Sequence, residues 1–191
     1  MSAAATGFVV AGGRSRRMGR DKALLPWSGS TLLDLTLARL RTCCAEVAIL
    51  SGPEPRYADR GVPVVPDLVR GKGPIGALMT GLSRLAGEPG LFLAVDLPNV
   101  PAPLLAHLLD LAAGHDVVVP VSARGPEPLC AVYSPACLEP VRSRIEAGEL
   151  KMSSFWPAVR VREVSQHELR RFGEAAILFH NINTPGDLTD V

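Results

Sequence analysis

The chain has 191 residues, 47% of them hydrophobic and 20% charged, a length and balance that suit one α/β domain with a full core, so a single domain over 1–191 is expected. Its formal net charge of +1 excludes a nucleic-acid binder that works by bulk electrostatics, because such domains carry a marked excess of Lys and Arg. No basic segment followed by an apolar run opens the chain, and no stretch approaches the roughly 20 apolar residues of a membrane span; a cytoplasmic protein without membrane or nucleic-acid partners is expected.

Gly7-Phe8-Val9-Val10-Ala11 is apolar throughout, as a strand buried on both faces is, and it stops at Gly12-Gly13. Residues 31–43 recur with helical spacing, and Ser30 or Thr31 can cap their start. Strands follow at 46–50 and 62–65, a helix at 74–85, and a strand at 91–95 that closes on Asp96. A helix over 101–112 is opened by prolines, which suit a first helical turn. Strands at 116–121 and 129–133 and helices at 135–147 and 165–171 complete the reading. Strands alternating with helices of this length predict a doubly wound, mostly parallel sheet flanked by helices, a Rossmann-like architecture.

Cys43, Cys44, Cys130 and Cys137 form no CxxC pair, and His107, His115, His167 and His180 have no metal-binding spacing. The cysteines read as reduced core thiols. Phe155 and Trp156 likewise read as core.

The stretch Ala11-Gly12-Gly13-Arg14-Ser15-Arg16-Arg17-Met18-Gly19-Arg20-Asp21-Lys22 follows the first strand directly. Five basic residues and one acidic residue lie between 14 and 22, a local charge of +4 in a chain that totals +1. Paired glycines let backbone N–H groups approach a phosphate, Arg supplies forked donors and Lys a point charge. Open α/β sheets bind ligands at the carboxyl ends of their strands, so a nucleoside triphosphate is the expected ligand. No Gly-Lys-Ser/Thr closes the loop, which excludes a Walker A motif. Gly71-Lys72-Gly73-Pro74-Ile75-Gly76 is a literal GxGxxG, with Asp96 twenty residues beyond Gly76. Residues 66–70 separate it from the preceding strand, whereas a dinucleotide site needs the turn at once. Asp96, at a strand end and followed by Leu97-Pro98, suits a turn as well as a metal site.

These residues resemble the molybdenum cofactor guanylyltransferase (MobA) family, within the MobA-like NTP transferases. The motifs are Val10-Ala11-Gly12-Gly13 through Arg17-Met18-Gly19-Arg20-Asp21-Lys22, Pro66-Asp67, Gly73-Pro74-Ile75-Gly76-Ala77-Leu78, Val95-Asp96-Leu97-Pro98 and Asn181-Ile182-Asn183-Thr184-Pro185. The resemblance implies transfer of GMP from GTP to molybdopterin-bound molybdenum, with release of pyrophosphate. It implies Mg²⁺ as cofactor, GTP and Mo-molybdopterin as substrates, and transient contact with proteins that handle molybdopterin or receive the product. By the same resemblance Gly12, Gly13 and Lys22 match the triphosphate-binding loop, Asp67 contacts the nucleotide, Asp96 holds the magnesium and the nucleotide, and Asn181 and Asn183 lie near the reacting groups; Ala11 and Arg14, beside the glycines, are further candidates for binding the nucleotide. Lys22, Asp96 and Arg17 are assigned to catalysis, with Arg14 and Arg16 as further partners for the departing pyrophosphate. Base contacts are expected around Ser51-Gly52, where relatives carry an Asn-type residue.

The attacking phosphate is already anionic, with a second pKa near about 6, so no general base is demanded. Residues 125–129 and 151–156 are candidates by position for the pterin. Alternatives on the same residues are a cytidylyltransferase, a sugar-phosphate nucleotidyltransferase, or a non-catalytic carrier of nucleotide or pterin.

Overall fold

The computed structural model describes residues 5–12 and 21–182. Along the chain run β1 (Thr6–Val10), a short hairpin of β2 (Pro26–Trp27) and β3 (Ser30–Thr31), α1 (Leu32–Arg41), β4 (Glu46–Leu50), β5 (Val64–Val65), α2 (Pro74–Leu82) and β6 (Gly90–Ala94). There follow α3 (Ala102–Asp110), β7 (Val117–Ser122), β8 (Gly125–Pro126), β9 (Cys130–Tyr133), α4 (Leu138–Glu146), β10 (Val161–Val164), α5 (Gln166–Leu169) and α6 (Ala175–Leu178). Among the described residues one eight-stranded sheet runs β10-β7-β9-β6-β1-β4-β5, with β8 paired to β7.

The expected doubly wound, mostly parallel sheet is present. β1 pairs in parallel with both β4 and β6, β4 with β5, and β10 with β7. Along this path β9 runs against its neighbours β6 and β7, and the two-residue β8 runs against β7. The short 123–129 connection from β7 is the reason: a parallel return needs a crossover of about a dozen residues or more, which this link cannot make.

The two faces of β1 separate the helices. Gly7 faces α1, where a Cβ on it would lie 3.1 Å from Cys44 Sγ and 3.2 Å from Leu40 Cβ. Phe8, its neighbour on the strand, points to the other face and stacks with Phe92 at 4.8 Å between ring centroids. Phe92 in turn underlies Gly81 of α2. Phe8 and Phe92 are essentially inaccessible to solvent, and burial of such a side chain contributes about 1.5–3 kcal/mol. The chain therefore winds one way from β1 through α1 to β4 and β5, then returns through α2 to β6 on the other side of β1. That reversal makes the β1/β6 edge a topological switch point, where an open sheet leaves a crevice at its carboxyl end.

Thr31 caps α1, accepting from the Asp34 amide at 3.1 Å, and Pro74 opens α2 at its first turn. Strands β2, β3, β8 and β10 and helix α6 lie outside the elements expected from the sequence. The first three are two residues long, too short for a period, and Val161-Arg162-Glu163-Val164 is an edge strand with a charged middle. The expected helix over 135–147 begins as a 3-10 turn at Pro135–Cys137 and continues as α4. No helix of the described residues is long and apolar enough to cross a membrane.

Candidate active site

Four strand ends meet at the switch point. The amide of Ala11 donates to the Leu50 carbonyl at 3.0 Å, and that of Val95 to the Val10 carbonyl at 3.3 Å. This ties the exit of β1 to β4 on one side and β6 on the other. Gly12 lies so close to the segment after β4 that a Cβ there would stand 2.9 Å from the Gly52 nitrogen. Gly52 also accepts from the Asp67 amide at 2.8 Å, which brings the residues after β5 to the same edge.

Lys22 and Asp96 are brought together across 74 residues of sequence. The Lys22 ammonium donates to Asp96 Oδ2 at 3.0 Å, with the two side chains 16% and 27% exposed. Lys22 opens a 3-10 turn, Lys22–Leu24, whose preceding Asp21 accepts from the Ala23 amide at 3.1 Å. Asp96 follows the all-buried β6, and its carbonyl accepts from the Ile182 amide at 3.1 Å, so the chain carrying Asn181 is stitched to the same point. Ile182 is anchored in a small cluster with Leu25, Trp27 and Leu32.

Asp67 is the unbalanced group. Its Oδ1 is buried with no hydrogen-bond partner among the described residues, and burial raises the carboxyl above its ordinary value. A buried acceptor left unpaired costs about 1–3 kcal/mol. Its neighbour Leu68 is held by Thr80 of α2, whose Oγ1 accepts from the Leu68 amide at 3.0 Å. The backbone that carries Asp67 is thereby tied to α2 on one side and to Gly52 on the other.

Of the sequence-derived candidates, the structure brings Ala11, Gly12, Lys22, Asp67, Asp96 and Asn181 to one edge of the sheet. Gly13, Arg14, Arg16, Arg17, Asn183, Thr184 and Pro185 lie outside the described residues. The GxGxxG is not a strand-turn motif: β5 ends at Val65, Gly71 and Gly73 take positive φ in the intervening loop, and Gly76 is already inside α2. Phe155 and Trp156 pack into the core, Phe155 against Tyr133 at 6.2 Å.

The family model of the MobA-like NTP transferase domain matches residues 7–161. The chain belongs to the MobA-like NTP transferase family. A probable molybdenum cofactor guanylyltransferase of Pelotomaculum thermopropionicum is 38% identical over 184 residues, 96% of this chain and 90% of that protein. The molybdenum cofactor guanylyltransferase of Desulfosudis oleivorans is 31% identical, with 97% and 93% covered. Among solved structures, the molybdopterin-guanine dinucleotide biosynthesis protein A of Archaeoglobus fulgidus superposes with a TM-score of 0.80 at 27% identity, over 96% of this chain and 94% of that one.

Against this MobA-like frame, two groups at the site went unassigned in the sequence. Glu127 is half-buried behind Asp96: burial pushes its carboxyl up, Ser122 at 2.7 Å and Arg124 at 3.9 Å oppose that, and the charge of Asp96 adds to it. It falls in the 125–129 stretch, for which position alone gave a reason. Arg56 and Tyr57 bind Asp21 from the loop after β4. They sit in a stretch with no periodicity, and the sequence carries no signal for that contact.

Proposed function

We propose that this MobA-like protein transfers GMP from GTP to Mo-molybdopterin, forming the guanine dinucleotide cofactor and releasing pyrophosphate. The observation that carries the reading is the Lys22–Asp96 pair at the switch point, in a chain whose relatives are named for this activity. It sets a cation and a carboxylate side by side at the place where an open sheet receives a nucleotide.

The donor set fits Mg²⁺, which is typically held by one or two carboxylates together with substrate phosphates and its own waters. Asp96 offers such a carboxylate, and no group of three or more His, Cys, Asp or Glu side chains forms a protein cage among the described residues. Bound through Asp96, Mg²⁺ would neutralise charge at the α-phosphate of GTP as the acceptor's phosphate approaches.

The remaining work falls to the chain. The acceptor and the triphosphate are both polyanions, and Lys22 supplies positive charge where they meet, first against the triphosphate and then against the departing pyrophosphate. In the ligand-free state that ammonium is kept in place by Asp96. Without a side chain at Gly12 the exit of β1 can lie against the backbone of Gly52, which keeps the phosphate side and the base side of the site adjacent. Asp67 Oδ1 offers a fixed acceptor for an N–H or hydroxyl of the nucleoside, and Asn181 reaches the reacting groups from the segment anchored on Asp96. The basic residues Arg14 and Arg17 add charge for the pyrophosphate in the reading carried by the resemblance.

Titration of the protein with GTP, CTP, ATP and NAD, each with and without Mg²⁺, tests the proposal. Magnesium-dependent preference for GTP is expected. Preference for CTP would move the protein to cytidylyl transfer, and binding of NAD alone would overturn the site. Asp96→Ala is expected to abolish turnover in a folded protein; a carrier would keep its function without that carboxylate.

A further inference from the structure

Asp21 stands immediately before Lys22, yet its carboxylate is held by three donors elsewhere. The single Tyr57 hydroxyl proton is shared between its two oxygens, with Oη 2.9 and 2.8 Å away, Arg56 Nη1 donates to Oδ2 at 3.0 Å, and the Ala23 amide donates to Oδ1 at 3.1 Å. Three donors, Tyr57, Arg56 and the Ala23 amide, thus take most of the roughly four acceptor sites of this carboxylate. Its charge beside the catalytic lysine is directed to these groups.

Arg56 joins more than one partner. While Nη1 holds Asp21, Nη2 donates to the carbonyl of Ala11 at 3.3 Å and to that of Ser51 at 3.2 Å. One guanidinium thus binds the exit of β1, the exit of β4 and the residue before Lys22. Ala11 and Asp21 bracket in sequence the basic stretch read as the phosphate loop, and Ser51 begins the segment expected to meet the base. The planar fork of Arg is suited to holding several acceptors in fixed directions, which a lysine cannot do.

The loop that carries this latch is itself built to be rigid. Tyr57 is buried and takes φ 71°, a left-handed conformation that a bulky side chain rarely adopts. The Arg56 guanidinium lies over its ring at 5.1 Å. Three residues on, Arg60 grips both oxygens of Asp34 on α1, at 3.1 and 3.0 Å, which ties the far end of the loop to the helix.

We propose that Arg56 and Tyr57 are positioning residues that fix Asp21, and through it the direction in which Lys22 leaves the loop toward Asp96, holding the phosphate side and the base side of the site in one register. This rests on the reading of Lys22 and Asp96 as the triphosphate and metal residues. The latch acts through the lysine and touches no reacting atom.

Two measurements test it. In the ligand-free protein, amide hydrogen exchange over residues 22–25 is expected to quicken at least about tenfold in Tyr57→Phe and in Arg56→Lys, while β1 and β6 keep their protection. In single-turnover GMP transfer, Tyr57→Phe is expected to lower the rate about tenfold in the otherwise unaltered protein and less than about twofold in a Lys22→Ala background, because residues acting through one group are not additive. Arg56→Lys, which keeps the charge but loses the fork, should behave as Tyr57→Phe does. Unchanged exchange at 22–25, or losses that simply multiply in the double variant, would overturn the latch. The exchange measurement needs no nucleotide, so it judges the latch by itself; absence of GMP transfer by the unaltered protein would instead count against the function proposed above.

Discussion

Replacing Gly12 with alanine puts a methyl group 2.9 Å from the nitrogen and 3.0 Å from the Cα of Gly52. Ordinary carbon contacts lie at about 3.5–4.0 Å, so the two backbones must part by roughly 0.5–1 Å. Neither side can yield locally. Ala11 is bonded to Leu50 at 3.0 Å, Gly52 holds the Asp67 amide at 2.8 Å, and Arg56 spans Ala11 and Ser51. Displacement of about 1 Å at a reacting centre costs on the order of a hundredfold in rate, equivalent to about 2.7 kcal/mol of transition-state stabilisation. Overpacking of this kind also costs about 1–3 kcal/mol of stability. Steady-state GMP transfer, read beside a thermal melt, checks both numbers. Gly148, at φ 78° with nothing within 4 Å of an added Cβ, provides the contrast. Gly148→Ala should lose about 1–2 kcal/mol to the left-handed backbone and leave turnover untouched. Turnover of a folded Gly12→Ala protein within about threefold of the parent would refute the reasoning.

Three further outcomes are expected. Asp67→Ala should weaken GTP binding about 10- to 100-fold, the worth of a charged hydrogen bond, without lowering the melting temperature, because Oδ1 has no partner among the described residues; calorimetric titration reads the first and a melt the second, and unchanged affinity would remove Asp67 from the site. Gly81→Ala should destabilise by about 1–3 kcal/mol despite alanine's better helix propensity, since the new Cβ would meet the Phe92 ring at 2.5 Å and that ring is boxed in by Phe8 and Tyr133; a denaturant titration showing a stabilised variant would contradict the packing described. Asp116, bonded by Arg160 through its side chain and its amide, is held down to about 2. A depressed carboxyl stabilises the fold above its unfolded value near about 4, and that contribution is lost as pH falls through about 2. Acid unfolding followed by circular dichroism should therefore be flatter over that window in Asp116→Asn.

Much of the fold was legible because its signals are local. The apolar run of β1, the cap at Thr31, the strand ending at Leu50 and the prolines opening α2 and α3 each state their own conformation. The direction of β9 was not legible, because it follows from how short the link from β7 is relative to a crossover. The edge strand β10 was hidden by charges that only an edge tolerates.

The site divides in the same way. Residue chemistry and order marked the glycine-flanked basic stretch, Lys22 and Asp96 as candidates and excluded a Walker A loop, because phosphate binding asks for a particular charge beside bare backbone; Asp67 became a candidate only through the family resemblance. Contact between Lys22 and Asp96 across 74 residues, the seating of Ile182 on the Asp96 carbonyl, the unpaired oxygen of Asp67 and the Arg56–Tyr57 hold on Asp21 were decided by tertiary structure. Each depends on which strand ends lie side by side, and that order is a property of the wound sheet, which brings distant segments to one edge; no stretch of sequence carries it by itself.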